Sequence, residues 1–104
     1  MYALYFGGMG ARAANFHHDV AVRLGYEAEA KKVQDLYLDG KKEEAAAAIP
    51  PELIDLVTIC GPRDRVKERL EVYREAGVGT LIVSPMSFDP DERKRQVREL
   101  AELV

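Results

Sequence analysis

Two short apolar runs on either side of one helical pattern constrain the fold of this chain more than any other feature. The first run is LVTICG at residues 56–61, and the second is VGTLIVSP at residues 78–85. Residues 62–77, PRDRVKERLEVYREAG, carry apolar side chains at helical spacing and end in a glycine. Apolar runs that do not alternate with polar residues are typical of parallel strands covered by helices. The pattern therefore predicts a strand–helix–strand unit.

The remainder of the chain is predicted to be helical. Residues 1–55 form a mainly helical region, in which glycine or proline ends each apolar pattern. Residues 56–104 form a β-α-β-α region whose last helix begins at Asp89, a favourable N-cap followed by a proline. We therefore predict the α/β class, in one domain or fragment of 104 residues. The predicted helices of the first region are 12–25, 26–40 and 41–53.

Two parallel strands and their helices cannot cover both faces of a sheet. Such strands need neighbours, either from more chain or from a second subunit. We therefore expect the second region to be a piece of a larger α/β fold and expect the chain to self-associate.

Charge and composition exclude several classes of function. The net charge is −3, whereas proteins that bind nucleic acids usually carry a basic excess. No apolar run approaches the roughly 20 residues that span a membrane, so we expect no membrane partner. The single cysteine, Cys60, excludes an internal disulfide and favours a reducing, cytoplasmic location.

The glycines and the histidines of YFGGMGARAANFHHD, residues 5–19, allow several interpretations. GGMG lacks the spacing of nucleotide-binding loops, which leaves a bend or a close backbone approach as one reading and a free-standing phosphate loop as another. The adjacent His17 and His18 would point about 100° apart on a helix, so we predict no metal site. His18 is either a solvated or pocket-rim side chain or a proton donor.

Three blocks of sequence resemble the luciferase-like monooxygenase superfamily, and more narrowly its oxidoreductases that use the deazaflavin coenzyme F-420. The blocks are LYFGGMG followed by NF, LGYEAEA followed by VQDLYLDGKKEEAAAAIP, and GPRDRV before a helix. The resemblance covers essentially the whole chain and corresponds to the C-terminal third of the family's fold.

The resemblance implies a (β/α)8 TIM barrel in which this chain supplies strands 7 and 8 with their helices. LVTIC would be strand 7, TLIVSP strand 8, residues 89–103 the last helix, and residues 11–48 a helical insertion before strand 7. Such barrels need at least about 200 residues, so roughly the first two thirds of the barrel would lie outside this chain. We therefore expect little or no turnover from the chain alone.

The resemblance also assigns candidate site residues. Gly8 and Gly10 are candidates for a rim contact to the cofactor, F-420 or FMN, and His18 is a candidate for binding a small organic substrate. Ser84 would lie at the end of strand 8 where barrel sites are built, although a simple turn is the alternative. Independently of the resemblance, Gly61 precedes a helix whose free N–H groups could receive a phosphate, although Pro62 removes one of these donors.

Two functional hypotheses follow. In the first, the chain is part of a flavin- or deazaflavin-dependent oxidoreductase that performs hydride transfer or monooxygenation. The second is a non-catalytic α/β module that self-associates through its sheet edge.

Overall fold

The computed structural model describes all residues 1–104 as a chain of seven helices. None of these helices has the length and apolar character required to cross a membrane. Contacts divide the chain into two units, Met1–Thr58 and Ile59–Val104, which are described separately below. The helices are α1 Tyr2–Gly8, α2 Phe16–Arg23, α3 Glu27–Leu38, α4 Lys42–Ala47, α5 Pro51–Val57, α6 Arg63–Glu75 and α7 Pro90–Ala101.

The first unit is a helical cluster built around α3. This helix contacts α1, α2 and α4, and the core that they share has Phe6, Val33 and Leu53 at 2%, 1% and 1% exposure. Small residues complete the core and let the helices approach one another closely. These small residues are Ala3, Ala21, Ala30 and Ala45.

Most of the helices in this unit follow the sequence pattern. The predicted helices 12–25, 26–40 and 41–53 correspond to α2, to α3, and to α4 with the start of α5. Pro50 and Pro51 separate α4 from α5, and Pro51 occupies the first turn of α5, where its missing N–H costs nothing. Helix α1 was not predicted, because a seven-residue helix ending in two glycines has too few positions to show a helical period.

The second unit contains α6, an irregular segment at residues 78–88, and α7. Gly77 follows α6 with φ +90°, the left-handed conformation predicted for a residue that ends a helix. Asp89 caps α7 as predicted, because its carboxylate accepts the Asp91 N–H at 2.9 Å. Only Leu70 is buried in this unit, at 7% exposure. Val97 in α7 is also largely uncovered, at 47% exposure.

The predicted α/β class is wrong for this chain, because the structure has no sheet and neither proposed strand forms. The only bridge is an isolated one, Ala11 with Ala14. Residues 56 and 57 of the proposed strand 7 extend α5, and residues 78–85 of the proposed strand 8 have no regular secondary structure. The barrel-fragment topology is therefore not observed.

The physical reason lies in where the backbone hydrogen bonds go. A strand satisfies its N–H and C=O groups only through a neighbouring strand, whereas a helix satisfies them within one segment. Helix α5 begins at Pro51 and buries Leu53, and continuing it through Val57 pairs the backbone that the proposed strand would leave open. Periodicity alone cannot separate a short apolar helix from a buried strand.

Candidate functional site

A buried asparagine joins the end of α1 to the start of α2. Asn15 is 2% exposed, and its side-chain Nδ2 donates to the carbonyl oxygens of Tyr5 at 2.9 Å and Phe6 at 3.2 Å. Its Oδ1 accepts the His18 backbone N–H at 3.0 Å, which makes Asn15 the N-cap of α2. We call residues 7–18, which this side chain organises, the Asn15 junction.

Two glycines of the junction make room for a tyrosine of α3. A Cβ atom at Gly7 would lie 2.5 Å from the Cβ of Tyr37, and one at Gly8 would lie 2.4 Å from its Cε1. Gly10 has φ +154°, and a Cβ there would lie 2.3 Å from the Ala14 carbonyl oxygen. The GGMG stretch therefore provides close backbone approach, the first of the interpretations left open by the sequence.

Aromatic rings gather on the outer side of the junction. Tyr5 and His17 stack with ring centroids 4.7 Å apart and an interplanar angle of 15°. Phe16 meets the His17 ring edge-on at 5.7 Å and is 69% exposed. These rings form a partly open aromatic surface beside the loop of GGMG.

His18 differs from His17 in its surroundings. Its backbone N–H donates to the Asn15 Oδ1, whereas its ring Nδ1 is buried and has no hydrogen-bond partner. A buried polar atom without a partner is uncommon in folded proteins and costs free energy. This nitrogen therefore has unused hydrogen-bonding capacity, although the atom itself is closed off from the surface. No group of three or more His, Cys, Asp or Glu side chains is placed to hold a metal ion.

An ionic cluster fixes the loop of the junction to α3. The Asp35 carboxylate accepts from the Lys31 ammonium at 2.6 Å and from the Arg12 guanidinium. Gln34 is 3% exposed, and its Nε2 donates to the Arg12 carbonyl oxygen at 3.2 Å. The hydrogen bond from Lys31 and then that from Arg12 hold the pKa of Asp35 below its ordinary value. Arg12 thus fixes the loop to α3 through both its side chain and its backbone carbonyl.

The structure brings together three of the five candidate site residues. Gly8, Gly10 and His18 all lie in the Asn15 junction, whereas Gly61 and Ser84 belong to the second unit. Gly61 is exposed and has φ +125° just before α6. Ser84 is exposed in the irregular segment 78–88.

Comparison with known proteins gives the family. The family profile described as luciferase-like monooxygenase matches residues 1–80, which is more than half of the chain. The chain belongs to the luciferase-like monooxygenase family. The matched range of this luciferase-like chain contains the whole Asn15 junction and Gly61, and it ends before Ser84 and α7.

A relative from Mycobacterium tuberculosis narrows the comparison. It is 44% identical over 102 residues, which cover 98% of this chain and 28% of the relative. That protein is described as a coenzyme F-420-dependent oxidoreductase, an assignment that its own description gives as provisional. The luciferase-like chain thus spans little more than a quarter of the length of this relative. No solved structure matches the chain significantly.

The role of Asn15 in organising the site was not predicted from the sequence. Asn15 stands directly before the apolar pattern Phe16, Val20 and Leu24, which is the position of a helix N-cap. That signal was sufficient to find the cap, but not the two bonds from Nδ2 to the end of α1. Those bonds depend on α1, which the sequence did not reveal.

Proposed function

We propose that this luciferase-like chain is part of an oxidoreductase that transfers a hydride between coenzyme F-420 and a small organic substrate. The observation that carries the proposal is the family match over residues 1–80, together with the description of the mycobacterial relative. FMN is the alternative cofactor, and with it the reaction would be a monooxygenation. Both cofactors present a planar ring system and a phosphate-bearing chain.

His18 is the residue that we propose for the substrate. Its unpartnered Nδ1 supports this role, because a ligand that opened this buried site and bonded to the nitrogen would satisfy a polar atom that now has no partner. The ring of the neighbouring His17 stacks on Tyr5, so a His17 variant is the control for the effect of a His18 variant on substrate binding.

Four residues are proposed for the cofactor, with different physical support. Gly10 is exposed and has no side chain, which allows a ring or phosphate to come close to the backbone. Gly8 is close by, although its α-carbon already faces Tyr37. Gly61 precedes the N-terminus of the thirteen-residue helix α6, which favours an anionic group, and Ser84 offers an exposed hydroxyl.

The cofactor assignment is tested by titrating the chain into F-420 and, separately, into FMN while following cofactor fluorescence. Saturable binding of F-420 with weaker binding of FMN supports the deazaflavin assignment, and the reverse order supports FMN. Gly10→Ala is expected to weaken binding, but its Cβ would also lie 2.3 Å from the Ala14 carbonyl oxygen, so circular dichroism must show that the helices are retained; Gly79→Ala has open space and is the control. If neither cofactor binds at high micromolar concentration, cofactor binding by this chain alone is contradicted. We expect little or no turnover without the rest of the protein.

Self-association is a second proposal, and the segment 78–88 favours it. Ile82 and Phe88 are 95% and 102% exposed, and no intramolecular hydrogen bond involves the backbone of residues 79–86. The alternative module was expected to associate through a sheet edge, and the structure has no sheet. An apolar segment with open backbone groups can still pair with an identical one.

Sedimentation velocity tests self-association across a hundredfold range of concentration. We expect a concentration-dependent shift to a heavier species, which Ile82→Lys suppresses. Val104→Lys also removes an exposed apolar side chain, at 88% exposure, and should leave the shift unchanged. A monomer at every concentration would refute the proposal.

A further inference from the structure

Charged residues are unevenly distributed around α7. Arg95 is held on one side of the helix by the carboxylates of Glu92 and Glu99, with the Arg95 Nε 2.9 Å from Glu92. This contact lowers the pKa of Glu92 and keeps the carboxylate charged. The positive charge of Arg95 is therefore already matched within the helix.

Three further cations of α7 have little or no pairing with carboxylates. Arg93 and Arg98 form no ion pair or side-chain hydrogen bond, and Lys94 makes one exposed contact of 3.3 Å to Asp91. Residues 93 and 98 lie within about 140° of each other on a helix, and Val97 lies between them. Three cationic side chains thus flank one apolar residue.

These residues line an open groove with an apolar floor. The groove has a volume of about 450 Å³ and is lined by six residues, of which three are apolar and three are cationic. They are Pro85, Pro90, Val97, Arg93, Lys94 and Arg98. Guanidinium groups bind phosphate and carboxylate through paired N–H donors, and the prolines and the valine provide an apolar contact for a ring or short chain.

We propose that this groove binds a small organic anion, with its phosphate or carboxylate between Arg93 and Arg98 and its apolar part on Val97. The proposal does not depend on the oxidoreductase assignment, because it uses only residues 85–98, outside the matched family range. The site is open to water, so each cation contributes only a few-fold in affinity. Binding is expected in the millimolar range and should weaken as ionic strength rises.

The test is an NMR titration of the full chain with phenyl phosphate, benzoate, inorganic phosphate and phenol. We expect saturable shifts in the backbone amides of residues 85–98 with phenyl phosphate or benzoate, and weaker binding of inorganic phosphate and phenol. The stronger of the two aromatic anions identifies the acidic group. Equal affinity for phenol would overturn the proposal, because the cations would then have no role.

Matched charge variants show whether the groove or the overall charge is responsible. Arg93→Gln and Arg98→Gln should each weaken binding about two- to fivefold, with the double variant roughly additive. Arg95→Gln removes the same charge from a residue of α7 that does not line the groove and is already paired with Glu92 and Glu99, so it should weaken binding much less. An equal loss with Arg95→Gln, or no saturable binding by the original chain, would refute the site. Circular dichroism of each variant checks that the helices are retained, and Lys94→Gln replaces any variant that unfolds.

Discussion

Replacing Gly8 by alanine tests whether the glycines of GGMG serve packing. An alanine Cβ would lie 2.4 Å from the Tyr37 Cε1 and 2.9 Å from its Cδ1, so the ring must move by about 1 Å to reach ordinary contact. Overpacking of this kind costs about 1–3 kcal/mol, whereas alanine in place of glycine within a helix returns roughly 0.5–1 kcal/mol. The two ranges differ by about 0–2.5 kcal/mol, and we expect a net loss of about 1 kcal/mol.

Urea unfolding followed by circular dichroism measures this loss, with Gly79→Ala as the control. No atom lies within 4 Å of a Cβ at Gly79, so the control should change the free energy of unfolding by less than about 0.5 kcal/mol. In thermal unfolding, each 1 kcal/mol should lower the midpoint by about 4–8 °C.

A Tyr37→Ala background distinguishes the effect of a side chain at Gly8 from the effect of one at Gly7. Tyr37→Ala removes the ring atoms that Gly8 meets but keeps the Cβ that a side chain at Gly7 would meet at 2.5 Å. In this background Gly8→Ala should become neutral or stabilising, while Gly7→Ala should still destabilise. If Gly8→Ala were harmless in the original chain, or equally harmful without the Tyr37 ring, the packing explanation would be refuted.

Three further predictions concern the first unit. Asn15→Ala should destabilise by about 1–3 kcal/mol in urea unfolding, because it removes the α2 cap and leaves two carbonyls unpaired, and Asn15→Asp should lose at least as much, because it keeps the cap acceptor but buries a carboxylate oxygen against those two carbonyls. Leu53→Ala should cost about 2–5 kcal/mol in the same assay, and a loss below 1 kcal/mol would contradict its place in the core. The lowered pKa of Asp35 means that its ion pairs stabilise the fold above its ordinary pKa of 3.8 and are lost as the pH falls through the lower folded value. Carbon-13 NMR of its carboxyl should give a midpoint below 3.8, and Lys31→Gln should raise it; a midpoint at or above 3.8 would contradict the pairing.

How far the sequence predicts this fold depends on whether the signal is local. The α3 pattern around Val33 and the cap at Asp89 are local, so both were predicted. The strand at residues 56–61 was wrong, because its apolar residues suit either a strand or the end of a helix. A helix forms because Pro51 begins α5 and Leu53 is buried in the core of the first unit.

In the candidate site, too, the features with a local sequence signal could be predicted and those that depend on packing between helices could not. The sequence left a close backbone approach open for GGMG, but Tyr37 lies 29 residues beyond Gly8 and no local pattern names it as the contact. The unpartnered His18 Nδ1 is likewise a consequence of packing between helices, and residue type alone does not predict it. The roles of Gly8, Gly10, Gly61, Ser84 and His18 in binding remain predictions.

A chimera tests the proposed oxidoreductase function most directly. This chain replaces the matching 28% of the mycobacterial relative, and fluorescence titration with F-420 compares the chimera with the unaltered relative. We predict saturable binding by both, with dissociation constants within about tenfold, equivalent to 1.4 kcal/mol. A folded chimera that binds no F-420, beside a relative that binds it, would contradict the claim that this chain forms part of such an enzyme.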